Sequence, residues 1–210
     1  MSTTELHFVF VPAARPESKR LMLVLHGLGD SMEGYRFLPH ALRVPDLNYL
    51  LVNAPDHYFG GFSWYSYPHS AASGAEIKRS RGLLTRLLDA QREKGFPSEQ
   101  TFLFGFSQGC LMTVETGLRY PHKLAGCIGV SGYAHNVEEL LKELSPVAKQ
   151  QRFLLTHGTL DDVVPQDRTA RQVEQLRAAG LDITWKTFAK PHTIIDAEFP
   201  LYREFVGAAR

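Results

Sequence analysis

The chain has 210 residues, with 23 lysines and arginines against 22 aspartates and glutamates, a net charge of +1. At about 150 residues per domain this predicts one domain, residues 1–210, and a 44% hydrophobic, 21% charged composition excludes wholesale disorder. The balanced charge argues against a nucleic-acid partner, which requires clustered excess lysine and arginine, and no apolar run approaches the roughly 20 residues of a membrane-spanning helix, so no stable membrane insertion is expected.

The opening Met1-Ser2-Thr3-Thr4-Glu5 has no basic segment followed by an apolar one, hence no secretory pattern. The two cysteines, Cys110 and Cys127, are too few for a disulfide framework and match no zinc spacing. Together these features predict a reduced, cytoplasmic protein. Leu6 to Val11 reads as a first strand, and the uninterrupted Leu21-Met22-Leu23-Val24-Leu25, stopped by Gly27, as a strand buried on both faces. Tyr49 to Val52 follows. Asn53 to Ser73 carries no periodic signal. Ile77, Leu84, Leu87 and Leu88 share one face of a helix that Gly95 and Pro97 end. Thr101 to Phe104, Ala125 to Val130, Phe153 to Thr156 and Ile183 to Phe188 continue the strands. Val173 and Leu176 mark a helix from about Pro165 to Gly180, and Leu201, Phe205 and Val206 a C-terminal one. Alternating strands and helices predict an α/β protein with a mostly parallel central sheet and helices on both faces.

Gly105-Phe106-Ser107-Gln108-Gly109 fits G-x-S-x-G between a strand and the start of a helix. A sharp turn there lifts a serine hydroxyl clear of the sheet, and glycines on either side remove Cβ atoms that would collide as the chain doubles back. The alternative is that Ser107 merely caps the helix. A catalytic serine needs a base, and the base an orienting acid. Asp161 lies in His157-Gly158-Thr159-Leu160-Asp161-Asp162, after one strand; His192 lies in Ala189-Lys190-Pro191-His192, after the next. Loops at the carboxyl ends of parallel strands can converge on one point. Asp162 is the competing acid and His157 the competing base, though His157 ends its strand and precedes the acid, which suits a backbone hydrogen bond better.

His26-Gly27-Leu28-Gly29-Asp30 follows the second strand and can aim the Leu28 N–H at the elbow, opposite the N–H of Gln108, as an oxyanion hole. A metal held by His26, Asp30 and His157 lacks any supporting ligand spacing, and none is expected. Tyr58, Phe59, Phe62, Trp64, Tyr65 and Tyr67 either line an apolar acyl slot or pack their loop onto the body, and Gly60-Gly61 would let that loop bend. Phe62, Trp64 and Tyr65 are the candidate substrate-binding residues.

The set H-G-L-G-D, G-F-S-Q-G, H-G-x-x-D-x-x-V-P and a late histidine resembles the phospholipase/carboxylesterase group of α/β-hydrolases, which includes the acyl-protein thioesterases and small bacterial carboxylesterases. The resemblance runs from about Leu21 to about Phe205. It implies Ser107 as nucleophile, Asp161 as acid, His192 as base, Leu28 and Gln108 as oxyanion donors, and Trp64-Tyr65 as the aromatic pair near the acyl site. It also implies no cofactor, no large lid domain and a small-molecule ester or acyl substrate. The chain departs from the family pattern at Cys110, where a second glycine usually stands, at Ser66, where aspartate is frequent, and at Pro191, where glycine is common. The expected activity is serine hydrolysis of carboxylic esters or thioesters. Alternatives on the same scaffold are a non-hydrolytic small-molecule receptor, or a dienelactone-hydrolase-like or peptidase-like enzyme.

Overall fold

A computed structural model describes residues 5–208; Met1 to Thr4, the start of the segment without a secretory pattern, lies outside them. The short apolar runs assemble side by side. Strands β1 (Phe8–Val11), β2 (Leu21–Leu25), β3 (Asn48–Val52), β6 (Thr101–Phe106), β7 (Gly126–Val130), β8 (Arg152–Gly158) and β9 (Asp182–Phe188) form one sheet in the order β1-β3-β2-β6-β7-β8-β9. β1 pairs antiparallel with β3. All other pairings are parallel, with Leu21 of β2 opposite Asn48 on one side and Thr101 on the other. A separate hairpin joins β4 (Asp56–Tyr58) and β5 (Gly61–Ser63). The helices are α1 (Leu38–Leu42), α2 (Ser73–Glu93), α3 (Gln108–Arg119), α4 (Val137–Lys142), α5 (Gln166–Ala178) and α6 (Phe199–Gly207).

The burial of β2 and β3 along their whole lengths follows from helices on both faces, since consecutive strand residues point to opposite sides. Leu21, Leu23 and Leu25 pack with Ile77 and Leu84 of α2, Leu111 of α3 and Val173 of α5. Met22 and Val24 face the other way, onto Leu38 and Leu42 of α1 and Phe199 and Tyr202 of α6. No large lid domain interrupts this arrangement among the described residues.

The expected strands and the three expected helices all form, with shifted ends. β6 and β8 run on to Phe106 and Gly158, because a parallel sheet carries Gly105 and His157 along in its ladder despite their weak strand preference. Gly95 and Gly180, at φ 90° and 87°, stand just past α2 and α5, where a left-handed residue closes a helix. The stretch from Asn53 to Ser73 differs from expectation. Its β4–β5 hairpin turns through Phe59 and Gly60, both at positive φ (43° and 91°), as a two-residue primed turn requires. Three-residue strands are too short to leave a periodic signature. The same holds for α1 and α4, although Asn136 does cap α4 by accepting the Glu139 N–H.

Candidate active site

The turn from β6 into α3 is set by steric exclusion. Ser107 sits at φ 55°, ψ −115°, a conformation that costs a non-glycine residue about 1–3 kcal/mol. A Cβ on Gly105 would lie 2.0 Å from the Gly109 carbonyl oxygen, and one on Gly109 would lie 2.1 Å from that of Leu25. Only glycine fits either place. Backbone bonds hold the turn: Ser107 donates to the Val130 carbonyl at 2.9 Å and accepts from the N–H groups of Cys110 and Leu111. The Ser107 hydroxyl makes no helix cap. It lies 2.9 Å from His192 Nε2 instead.

The sheet brings three loop residues into one row. His192 Nδ1 donates to Asp161 Oδ2 at 2.8 Å, leaving Nε2 to accept from Ser107. Asp161 Oδ1 accepts the N–H groups of Val163 (3.1 Å) and Val164 (2.8 Å). Burial works to raise the Asp161 carboxyl, but these N–H donors and the facing imidazoles outweigh it, and the group lies below the usual carboxylate range. Asp162, the competing acid, is exposed. His157, the competing base, is buried and donates from Nε2 to the Val164 carbonyl at 2.9 Å, with Asp161 Oδ2 3.4 Å away. Burial holds it below the ordinary histidine value.

The His192 loop rests on a polar network that sequence reasoning missed. Lys190 and Glu198 are an ion pair with no exposed side-chain surface, Nζ lying 2.7 Å from both carboxylate oxygens. The same ammonium donates to the Thr193 carbonyl at 2.7 Å, directly after the base. Glu198 also accepts from Thr156 Oγ1, Tyr202 OH and the Ile195 N–H. Burial lowers the Lys190 pKa and the Glu198 carboxylate opposes it. An isolated lysine and glutamate eight positions apart carry no signal of this contact. Close packing adds a second constraint: a Cβ on Gly158 would lie 2.2 Å from the Lys190 carbonyl oxygen. Phe106 backs the imidazole, ring centroids 4.9 Å apart.

Leu28 and Gln108 both line the groove beside Ser107. Among the described residues neither of their N–H groups meets a backbone acceptor. The Gln108 side chain has a task no motif announced. It accepts the Trp64 N–H at 3.0 Å and donates to the Tyr65 carbonyl at 2.9 Å, clamping the aromatic segment to the elbow. His26 is a strut rather than a ligand. Its Nε2 accepts the Ala54 N–H and its Nδ1 donates to the Gly27 carbonyl, so neither nitrogen is free, and burial lowers its pKa.

The aromatic stretch divides between the two expected roles. Trp64 has no accessible surface and donates from Nε1 to the His26 carbonyl at 2.9 Å, and Phe62 packs on His57 and His26. Neither lines the groove. Of the three candidate substrate-binding residues only Tyr65 does, joined by Tyr67, Phe106, Tyr133 and Val163 around about 430 Å³. Nor is Gly61 a hinge. A Cβ there would lie 2.1 Å from the Gly29 carbonyl oxygen, and the hairpin is tied to the Gly29-Asp30 turn by two backbone bonds of 2.9 Å. Two of the three departures from the family pattern, Cys110 and Ser66, have local compensation. Glycines at 129 and 132 make room for Cys110, whose buried thiol is pushed up to about 12 and is no rival nucleophile. Ser66 takes its carboxylate from α2, donating from N and Oγ to Glu76 at 2.8 and 2.5 Å.

A strained serine between strand and helix, with an imidazole and a carboxylate from later loops of a parallel sheet, defines a serine hydrolase of the α/β-hydrolase class. Comparison with known proteins narrows this. The phospholipase/carboxylesterase family model matches residues 6–209. Acyl-protein thioesterase 1 of Schizosaccharomyces pombe is 36% identical over 155 residues, 69% of each chain. Acyl-protein thioesterase 1 of Yarrowia lipolytica is 32% identical over 175 residues, 74% of this chain and 77% of the other. Among solved structures, esterase PE8 superposes with a TM-score of 0.88 at 28% identity, covering 99% of this chain and 100% of the other. The Bacillus cereus carboxylesterase, at 16% identity and a TM-score of 0.83, shares the fold. The chain belongs to the phospholipase/carboxylesterase family. It is a hydrolytic enzyme acting on carboxylic esters, which disfavours the receptor alternative. No helix among the described residues is long and apolar enough to cross a membrane.

Proposed function

We propose that the chain is a one-domain enzyme that cleaves carboxylic esters and thioesters through an acyl-enzyme on Ser107. The row Asp161–His192–Ser107, with contacts of 2.8 and 2.9 Å, carries the reading. As Ser107 Oγ attacks the carbonyl carbon, His192 Nε2 takes its proton and Asp161 steadies the imidazolium. The N–H groups of Leu28 and Gln108 receive the oxyanion, the latter at the positive end of α3. The tetrahedral intermediate expels the alcohol or thiol, which takes the proton from His192. Water then attacks the acyl-enzyme, giving its proton to His192, and Ser107 leaves with that proton as the acid is released. Thioester cleavage is included because the curated relatives carry the name acyl-protein thioesterase and the same intermediate serves either leaving group. Two buried free cysteines support a reducing, cytoplasmic setting. The net charge of +1 supports a small-molecule or acyl substrate rather than nucleic acid.

A fluorophosphonate probe should label Ser107, and Ser107→Ala should lower kcat/KM on p-nitrophenyl butyrate by about 10⁴-fold or more while leaving the fold intact. Wild-type turnover in a contaminant-free Ser107→Ala preparation would refute the assignment. A chain-length series of matched esters and thioesters sorts the leaving group and the acyl length.

A further inference from the structure

The groove past Ser107 is not uniformly apolar. One part is walled by Tyr65, Tyr67, His69, Tyr133 and Arg168. Arg168, in the first turn of α5, lays its guanidinium over the Tyr133 ring, Cζ 4.3 Å from the centroid. A guanidinium stacked on its flat face keeps its fork of N–H donors at the edge. Among the described residues no carboxylate pairs with it. Its neighbour Asp167 pairs with Arg171 at 3.3 Å, Asp161 is engaged by His192, and Asp162 is exposed on the preceding loop. Asp30, the acidic residue lining the groove, belongs to the Leu28 loop and accepts the Ser31 N–H.

Further donors gather beside Arg168. The Tyr65 and Tyr133 hydroxyls are 3.5 Å apart, and His69 Nε2 meets the Tyr133 hydroxyl. The His69 ring stacks on Tyr65 (centroids 5.3 Å, 16° between planes) and lies 5.6 Å from His135. Partial burial, and after it the neighbouring His135 and Arg168, hold His69 below its ordinary value. Guanidinium, imidazole and phenol groups therefore meet in one part of the groove, whose one lining carboxylate among the described residues, besides the catalytic loop, is Asp30 on the Leu28 loop.

We propose that this corner is an anion subsite, and that the preferred substrates are esters whose acyl or alcohol part ends in a carboxylate. The proposal rests on the hydrolase reading at Ser107. The carboxylate would take paired N–H bonds from Arg168 and bonds from the tyrosine hydroxyls, fixing the ester's direction along the groove. Because Arg168 is exposed, screening limits the discrimination to about fivefold.

The test compares monomethyl adipate with methyl hexanoate, and 4-acetoxybutyrate with butyl acetate, in wild type, Arg168→Gln and Arg168→Lys. The readout is the anionic-to-neutral ratio of kcat/KM within each pair. In at least one pair the wild-type ratio should be about fivefold, fall towards unity in Arg168→Gln, recover in part in Arg168→Lys, and shrink with added salt. Wild-type ratios of one or below in both pairs, or ratios unmoved by Arg168→Gln, overturn the subsite. Calorimetry on Ser107→Ala with the same four esters separates the two readings. If wild type hydrolyses p-nitrophenyl butyrate but none of these four, the hydrolase reading stands and the subsite stands or falls on whether the anionic member of a pair binds more tightly and loses that advantage when Arg168→Gln is added. If p-nitrophenyl butyrate is not hydrolysed either, the hydrolase reading fails and the same binding comparison still judges the subsite.

Discussion

The loops that carry Ser107 and His192 reach the same point by opposite physical means. The serine elbow is defined by what cannot fit, since Cβ atoms at 105 and 109 would strike backbone within 2.1 Å. The His192 loop is defined by what must be satisfied, a lysine and a glutamate with no exposed side-chain surface that bond each other and four further groups beneath the base. Steric exclusion is local and leaves a short motif. A buried polar network is distributed across β8, the 189–198 segment and α6, and leaves none. The difference also predicts different failure. A crowded elbow resists added atoms, whereas a charged network resists the loss of either charge, because the partner is then stranded in a low-dielectric interior.

The largest effect on stability is expected at the network. Lys190→Met leaves Glu198 buried without its cation and should cost about 3–5 kcal/mol. Denaturant midpoints measure this, and kcat on a p-nitrophenyl ester should fall with it as the Thr193 anchor is lost. Adding Glu198→Gln to Lys190→Met should restore part of the stability, since the stranded charge is removed. A loss under about 1 kcal/mol in the single variant would erase the distinction between the two loops. Gly109→Ala probes the other side. The collision with the Leu25 carbonyl cannot be relieved by choosing a rotamer, so a loss of about 3 kcal/mol is expected, or roughly 6–12 °C in Tm for a chain of this size. A Gly109→Ala protein with unchanged Tm would show that the elbow can shift along α3.

These contrasts explain what was legible in the amino-acid sequence. Gly105, Ser107 and Gly109 announce the elbow because the constraint acts within five residues. His192 is favoured over His157 by chain order, since it follows the acid on the next loop, whereas adjacent Asp161 and Asp162 are separated only by the family motif. The hydrogen bonds join Asp161, His192 and Ser107 and give His157 to the Val164 carbonyl. The Lys190–Glu198 pair and the Gln108 clamp on Trp64 and Tyr65 were not legible, since each joins polar residues whose meeting depends on the finished fold. The aromatic stretch misled in part for the same reason. Composition leaves open which of Phe62, Trp64 and Tyr65 pack inward, and the hairpin's ties to Gly29 and Asp30 help decide that of the three Tyr65 alone faces the groove.

Trp64 joins the two strategies, because its ring fills space under the elbow while its N–H satisfies the His26 carbonyl. Trp64→Phe removes that donor and part of the volume. The expected cost is about 2 kcal/mol, smaller than at Gly109 or Lys190, with a Tm fall of roughly 4–8 °C. If most of the cost comes from the lost hydrogen bond, Trp64→Tyr, which cannot reach the carbonyl with the same geometry, should be destabilised as much as Trp64→Phe. A clear advantage for either ring would assign the effect to packing.

The smallest effect concerns protons and treats the two sides alike. His26 braces the elbow side and His157 the acid loop, and burial lowers both below the ordinary histidine value. In the unfolded chain each takes up a proton near pH 6.5. Below that pH the unfolded state binds more protons than the native state, so unfolding is favoured as pH falls and stability rises with pH across this region. The loss between pH 7 and pH 6 should be about 1 kcal/mol for the two together, read from urea midpoints. Asp161, also depressed, adds its own loss only at lower pH, as the titration passes from the unfolded carboxylate value down through the folded one. His26→Gln and His157→Gln should each remove part of the slope between pH 7 and pH 6. A slope carried by one of them alone would mean that the other is solvated when the protein breathes, and that one loop is looser than its packing suggests.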